Sequence, residues 1–299
     1  MKTYPFEYPL LLDGGFGREL QARGESIAAP LWSANVYYSR PEIVKEIHLD
    51  FIHAGAEIIT TNTYAITEYY LKKAGKQGEQ HQLLHAAYDF AHQARQCVVV
   101  DYPIYIAASI PPLSESYRAD LVANVAKLEA EYTMLIDTAV KNNVDILLAE
   151  TLSHSVEAKV IAKIAKQCKL PLWISFTVNA AGNLRSGESL QTVATQILDM
   201  GVHAVLVNCA TLPNLNKSIE ILQALSQKKP FTFGVYGNRF NEIPTNFALE
   251  NGLNTINTVL SKKDYVHAVK TWLDKGASII GGCCGIGPEY ITEIKNNLQ

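Results

Sequence analysis

The chain has 299 residues, 48% hydrophobic and 18% charged, with 26 Lys+Arg against 29 Asp+Glu and a formal net charge of −3. Such a composition builds a large core, and it excludes both a disordered chain and the basic surface of a nucleic-acid partner. No apolar run approaches the ~20 residues of a membrane span, and the segment Met1–Gly17 lacks a signal-peptide core, so the expected location is cytoplasmic, with no membrane partner.

In chain order, eight short apolar runs, often β-branched, read as strands: residues 9–13, 57–61, 104–109, 145–150, 172–177, 203–208, 231–236 and 277–281. Helical periodicity fills the intervals at 41–54, 79–97, 120–142, 155–167, 188–200, 214–227, 263–275 and 288–298. Pro41 and Pro288 stand at first-turn positions, and Gly55, Gly201 and Gly276 supply stops before the next strand. Eight such units predict a (β/α)8 TIM barrel in the α/β class, a single domain over residues 1–299. An open doubly wound sheet is the competitor. Against it, no Gly-x-Gly-x-x-Gly follows the first strand, and polar residues end nearly all eight strands, as suits a barrel whose strands share one mouth. Residues 237–262 are long, polar and weakly periodic, which predicts a functional loop on that mouth.

The expected strand ends carry Asp13, Thr61-Asn62-Thr63, Ser109, Glu150-Thr151, Asn208-Cys209, Tyr236, Asn238 and Cys283-Cys284. A single threonine, serine or asparagine there is commonly an ordinary loop-entry residue. The cysteines carry more information. Five in all are too sparse and too odd in number for a disulfide framework, and in a reducing compartment clustered thiols point to metal or catalysis. Cys209, Cys283 and Cys284 would converge at the ends of strands 6 and 8, and three thiolates with an open fourth position make a zinc site capable of chemistry. Adjacent strand residues face opposite ways, so Cys283 and Cys284 can share an ion only if the backbone leaves the pleat. Gly281, Gly282 and Gly285 are expected to permit the backbone angles this needs. Cys97 and Cys168, at helix ends, read as structural. His81, His85 and His92 share one side of the 79–97 helix without an accompanying carboxylate or cysteine, and they read as a solvated face, as do His48 and His53.

The run Leu12-Asp13-Gly14-Gly15-Phe16-Gly17 with Glu19-Leu20, then Pro30-Leu31-Trp32-Ser33-Ala34, Thr61-Asn62-Thr63-Tyr64, Glu150-Thr151, Asn208-Cys209 and Gly281-Gly282-Cys283-Cys284, resembles the homocysteine S-methyltransferase family. The resemblance covers essentially the whole chain in order, and the separated Asn-Cys and Gly-Gly-Cys-Cys motifs are specific together. It implies a zinc-dependent barrel that methylates the sulfur of homocysteine to give methionine. By this resemblance Cys209, Cys283 and Cys284 match the zinc ligands, Asp13 and Glu150 would hold the substrate ammonium, and Thr61 would be a polar contact. Phe16, Ser109 and Asn208 complete the expected substrate-binding set.

The chemistry of the residues agrees. A free thiol has a pKa of about 8.5 and is mostly protonated at neutral pH, whereas a thiol on zinc is deprotonated outright. Pro30-Leu31-Trp32-Ser33-Ala34 and Glu150-Thr151 look more like members that use S-methylmethionine or S-adenosylmethionine than the betaine branch. Ser109-Ile110-Pro111-Pro112-Leu113 departs from the glycine-rich turn associated with S-methylmethionine enzymes. Phe16, Trp32, Tyr64 and Tyr236 are candidates to face a sulfonium by cation–π attraction. The expected partners are therefore homocysteine and a small methyl donor, S-methylmethionine foremost. A selenocysteine acceptor, a betaine or folate donor, and a zinc-dependent hydrolase or lyase on the same barrel are the alternatives.

Overall fold

The computed structural model describes residues 6–244, 247 and 259–298. Eight parallel strands form one sheet: β1 (Leu10–Leu11), β2 (Ile58–Thr60), β3 (Tyr105–Ile110), β4 (Ile146–Leu152), β5 (Leu172–Phe176), β6 (Ala204–Asn208), β7 (Thr232–Gly237) and β8 (Ile279–Gly282). From β2 to β8 each strand pairs with its sequence neighbours, and β1 pairs with β8 through Leu10↔Ile279 and Leu11↔Ile280. A parallel bridge between Leu12 and Ile58 closes the barrel between β1 and β2. The (β/α)8 barrel expected from the eight apolar runs is the fold.

The helices are α1 (Phe16–Ala22), α2 (Val36–Ser39), α3 (Glu42–His53), α4 (Glu68–Lys73), α5 (Gln80–Cys97), α6 (Val125–Lys141), α7 (Ser155–Ala165), α8 (Leu190–Asp199), α9 (Leu212–Ser226), α10 (Lys262–Asp274) and α11 (Pro288–Asn296). Three of these, α1, α2 and α4, were not expected. They have seven, four and six residues, too short to show a period and too short to persist without tertiary packing. The helix expected from residue 120 instead starts at Val125, where the Asn124 side chain accepts from the Lys127 amide and caps the first turn. Among the described residues, no helix is long and apolar enough to cross a membrane.

Strand parity separates two cores. Leu10, Ile146, Leu148, Trp173, Leu206 and Ile279 point into the barrel, while Leu11, Leu147, Ile174, Val205 and Ile280 join the layer between strands and helices. Phe6 plugs the N-terminal end of the barrel edge-on, its ring 5.0 Å from Tyr105 and 5.6 Å from Trp173. Following the same parity upward, Glu150 succeeds Ile146 and Leu148, Ser109 succeeds Ala107, and Tyr236 succeeds Gly234. All three therefore lie inside the barrel at its C-terminal mouth.

One histidine expectation changes, that for His48. His48 is fully buried in α3 with its ring 5.2 Å from Phe16, and burial pushes its pKa down to about 3, so it is a neutral core residue rather than part of a solvated face. His85 and His92 bond to Asn142, through its side chain (2.8 Å) and its carbonyl (2.7 Å), and so tie α5 to the end of α6.

Candidate functional site

A cavity at the barrel mouth is lined by residues from both ends of the chain, among them Asp13, Phe16, Thr61, Ser109, Glu150, Cys209, Cys283 and Cys284. Its deep half is acidic. Asp13, 4% exposed, follows β1, and its carboxylate accepts from the Thr60 amide (2.6 Å) and the Thr60 hydroxyl (2.9 Å). Glu150 accepts from the Ser109 hydroxyl (2.5 Å) and the Tyr236 hydroxyl (3.1 Å). Burial raises the pKa of Asp13 to about 8 and that of Glu150 to about 7, against the opposing effect of these hydrogen bonds. The nearby Glu150 charge adds to the rise at Asp13, and the Cys209 charge adds to the rise at Glu150. Two buried carboxyls with raised pKa values, with no basic side chain between them among the described residues, make a place for a cation.

The other half is sulfur. The Sγ atoms of Cys209, Cys283 and Cys284 all lie within 4.8 Å of one another, and Cys209 and Cys284 are 3.9 Å apart. Zinc–thiolate bonds of ~2.3 Å in a tetrahedron place sulfurs ~3.8 Å apart, so this donor set fits a zinc-sized soft cation with one position left toward the cavity. The Cys283 and Cys284 thiols hold the Cys209 pKa well below the ordinary thiol range, and Cys209 pushes theirs up. A divalent cation between them would favour the thiolate form of all three. The Tyr117 hydroxyl (3.0 Å) and the Asn238 amide (3.7 Å) also reach the Cys209 sulfur.

The backbone that presents these sulfurs is irregular. Cys209, Thr151 and Trp32 have φ of +51°, +60° and +49°, a region non-glycine residues seldom occupy, and all three line the cavity. Thr151 adjoins a register shift between Ala149 and Leu152 where β4 meets β5. Cys283 and Cys284 do leave the pleat, but not by the means expected for all three glycines. Only Gly285 has a positive φ, +82°. Gly281 and Gly282 are needed for close approach instead: a Cβ would lie 2.5 Å from the Leu12 Cβ at Gly281 and 2.2 Å from the Ile286 Cγ2 at Gly282. The turn is then held by the Cys283 amide donating to Gly237 (2.8 Å) and the Ile286 amide donating to Cys283 (3.1 Å).

The remaining expected contacts divide. Phe16, Trp32, Tyr64 and Tyr236 all line the cavity. Thr61 lines it too, although its hydroxyl accepts from the Ser109 amide (3.2 Å) and bonds Thr63 (3.0 Å), joining β2 to β3. Asn208 is placed differently. Fully buried outside the cavity lining, it accepts from the Thr151 amide (3.0 Å) and the Ser175 hydroxyl (2.7 Å) and donates to the Thr151 hydroxyl (2.8 Å). Its side chain positions the strained Thr151 rather than facing a ligand. Cys97 and Cys168 lie apart from the trio, exposed and half-buried.

Several site residues lacked a sequence expectation. Tyr117 packs beneath the Arg185 guanidinium, which is 5.3 Å from its ring and donates to the carbonyls of Tyr117, Ile243 and Pro244. Phe240 joins Tyr117, Cys209 and Ile243 in an apolar cluster. The available signal was the polar, non-periodic run Ser114-Glu115-Ser116-Tyr117-Arg118 between β3 and α6. Of the expected 237–262 loop, residues 245–246 and 248–258 lie outside the described residues.

Comparison with known proteins agrees over the whole barrel. The chain is 30% identical to homocysteine S-methyltransferase 1 of Zea mays, over 97% of this chain and 94% of that protein. It is 27% identical to selenocysteine Se-methyltransferase of Brassica oleracea var. italica, over 96% and 88%. The metallated form of the homocysteine methyltransferase MmuM from Escherichia coli superposes with a TM-score of 0.82 at 25% identity, covering 97% of this chain and 96% of that one. The family profile described as homocysteine S-methyltransferase matches residues 10–298, and the chain accordingly belongs to that family of methyltransferase enzymes.

Proposed function

We propose that this enzyme transfers a methyl group from a small sulfonium donor, foremost S-methylmethionine, to the thiol of homocysteine, with a zinc ion held by Cys209, Cys283 and Cys284. The observation that carries the reading is the pairing, in one cavity, of three converging sulfurs with two buried carboxyls that lack a cation. Homocysteine is complementary to it, with an ammonium at one end and a thiol at the other. Bound zinc supplies Lewis acidity that ionises the substrate thiol and keeps its sulfur nucleophilic.

The chain's own residues do the rest. Asp13 and Glu150 take the ammonium, and its charge returns both carboxyls to their ionised forms. Thr60, Ser109 and Tyr236 fix the carboxylate oxygens by donating to them, which limits the orientations the acceptor can take. Phe16, Trp32, Tyr117 and Phe240 wall the outer cavity with apolar faces, which exclude water and favour a sulfonium over its aqueous state. No general base is needed once the thiol is ionised.

The deciding experiment is methionine formation by zinc-loaded enzyme with homocysteine and S-methylmethionine, S-adenosylmethionine, betaine or methyl-folate in turn. Turnover with S-methylmethionine well above the others supports the reading; preference for betaine or methyl-folate overturns the donor assignment. Selenocysteine is a second acceptor to assay, because a relative named for it covers 96% of this chain. Selenocysteine turned over in strong preference to homocysteine would reverse the acceptor assignment.

A further inference from the structure

Arg18 is the only basic side chain among the described residues that line the cavity. It sits half-buried on α1, where its guanidinium is 5.6 Å from the centre of the Phe240 ring and one terminal nitrogen donates to the Gln21 side chain (2.7 Å). Both contacts orient the group. The preceding turn is pressed on the metal-binding loop, since a Cβ on Gly15 would lie 2.6 Å from the Cys283 carbonyl oxygen. Phe240 in turn packs with Cys209, Cys283 and Cys284, so Arg18 stands at the sulfur end of the cavity.

That position decides which substrate it meets. The ammonium and carboxylate of an amino acid share one carbon, so an acceptor whose ammonium lies between Asp13 and Glu150 keeps its carboxylate at that deep end. A methyl donor must instead approach the acceptor sulfur from the side away from the acceptor's carbon chain, which is the outer half bounded by Phe240 and Arg18. Building on the methyl-transfer reading above, we infer that Arg18 binds the carboxylate of the methyl donor and selects donors that carry both an onium methyl group and a carboxylate. The apolar rings face the cation while the guanidinium takes the anion through charge-assisted hydrogen bonds. Arg18 is thus a specificity-determining residue of the donor site.

The test compares wild-type, R18Q and R18K enzymes, all zinc-loaded, with S-methylmethionine and with its methyl ester, which keeps the sulfonium and loses the carboxylate charge. Wild-type enzyme is expected to prefer the free acid by about 10- to 100-fold in kcat/KM, the range of a lost charge-assisted contact. In R18Q the preference should collapse toward unity through a higher KM for the free acid. KM for homocysteine and zinc content should hold, and R18K should recover part of the preference. An R18Q enzyme that slows equally with both donors, or whose defect lies in KM for homocysteine, overturns the inference while leaving methyl transfer intact. Wild-type enzyme that moves no methyl group from either donor overturns the functional reading itself.

Discussion

The carboxylate half and the thiol half of the cavity are built by opposite means. Glu150, Ser109 and Tyr236 sit where ordinary strand parity puts them, one step above the inward-facing Leu148, Ala107 and Gly234 of their strands. The thiols depend on backbone that breaks this regularity: a cysteine at φ +51°, a turn after β8, and two glycines whose neighbours leave no room for a methyl group. A regular scaffold suffices to place carboxylates that have only to attract a cation. Three donors to one ion must converge to within a few tenths of an ångström, and extended strands cannot aim adjacent residues at one point.

This contrast is broken most severely by removing a sulfur. Cys283→Ala should abolish stoichiometric zinc in metal analysis and cut methyl transfer by more than the ~10–100-fold typical of losing a hydrogen-bond partner of a metal ligand. Full zinc content with full activity would end the metal reading. On the carboxylate side, Glu150→Gln should retain zinc but raise KM for homocysteine by about 10- to 100-fold, as expected for a lost charged contact. Steady-state kinetics on the same preparations would show whether the two halves fail separately.

A smaller effect follows from pH. Burial raises Asp13 to about 8 and Glu150 to about 7, above their values in the unfolded chain, so protonation favours the substrate-free fold at low pH and this contribution is lost as pH rises through that window. Binding of an ammonium requires those protons to leave. Affinity for methionine, whose thioether does not ionise, should therefore rise by about tenfold or more between pH 6 and pH 8, measurable by calorimetry, and Glu150→Gln should flatten the rise. The smallest effect is expected for Gly282→Ala. Its Cβ would sit 2.2 Å from the Ile286 side chain, costing about 1–3 kcal/mol by overpacking, visible as a Tm lower by several degrees and a weakened hold on zinc.

What the sequence made legible follows the same division. The eight apolar runs marked the strands because a barrel strand is buried on both faces, and the glycines after α3, α8 and α10, at φ of +106°, +97° and +92°, marked their ends. The thiols and Asp13 and Glu150 stood out as residue types at strand ends. Arg18 and Tyr117 did not, because they reach the cavity from a short helix and from a loop whose positions are set by contacts between distant segments. Asn208, expected among the substrate-binding residues, instead makes three hydrogen bonds to Thr151 of β4 and Ser175 of β5, a tertiary arrangement that residue type and strand position alone do not reveal.

The barrel's seam joins its first and eighth strands at the site itself. The Gly282 amide donates to the Asp13 carbonyl (2.9 Å), and the Gly15 amide donates to the Ile286 carbonyl (2.9 Å). Asp13 and the Cys283-Cys284 pair are thus neighbours in space but separated by nearly the whole chain in order of synthesis. During translation Cys209 emerges well before its two partners, and the turn that aims them has nothing to rest on until β8 docks against β1. A metal ion held by all three sulfurs would accordingly be captured only after β8 has docked against β1, so that its binding would report a closed barrel.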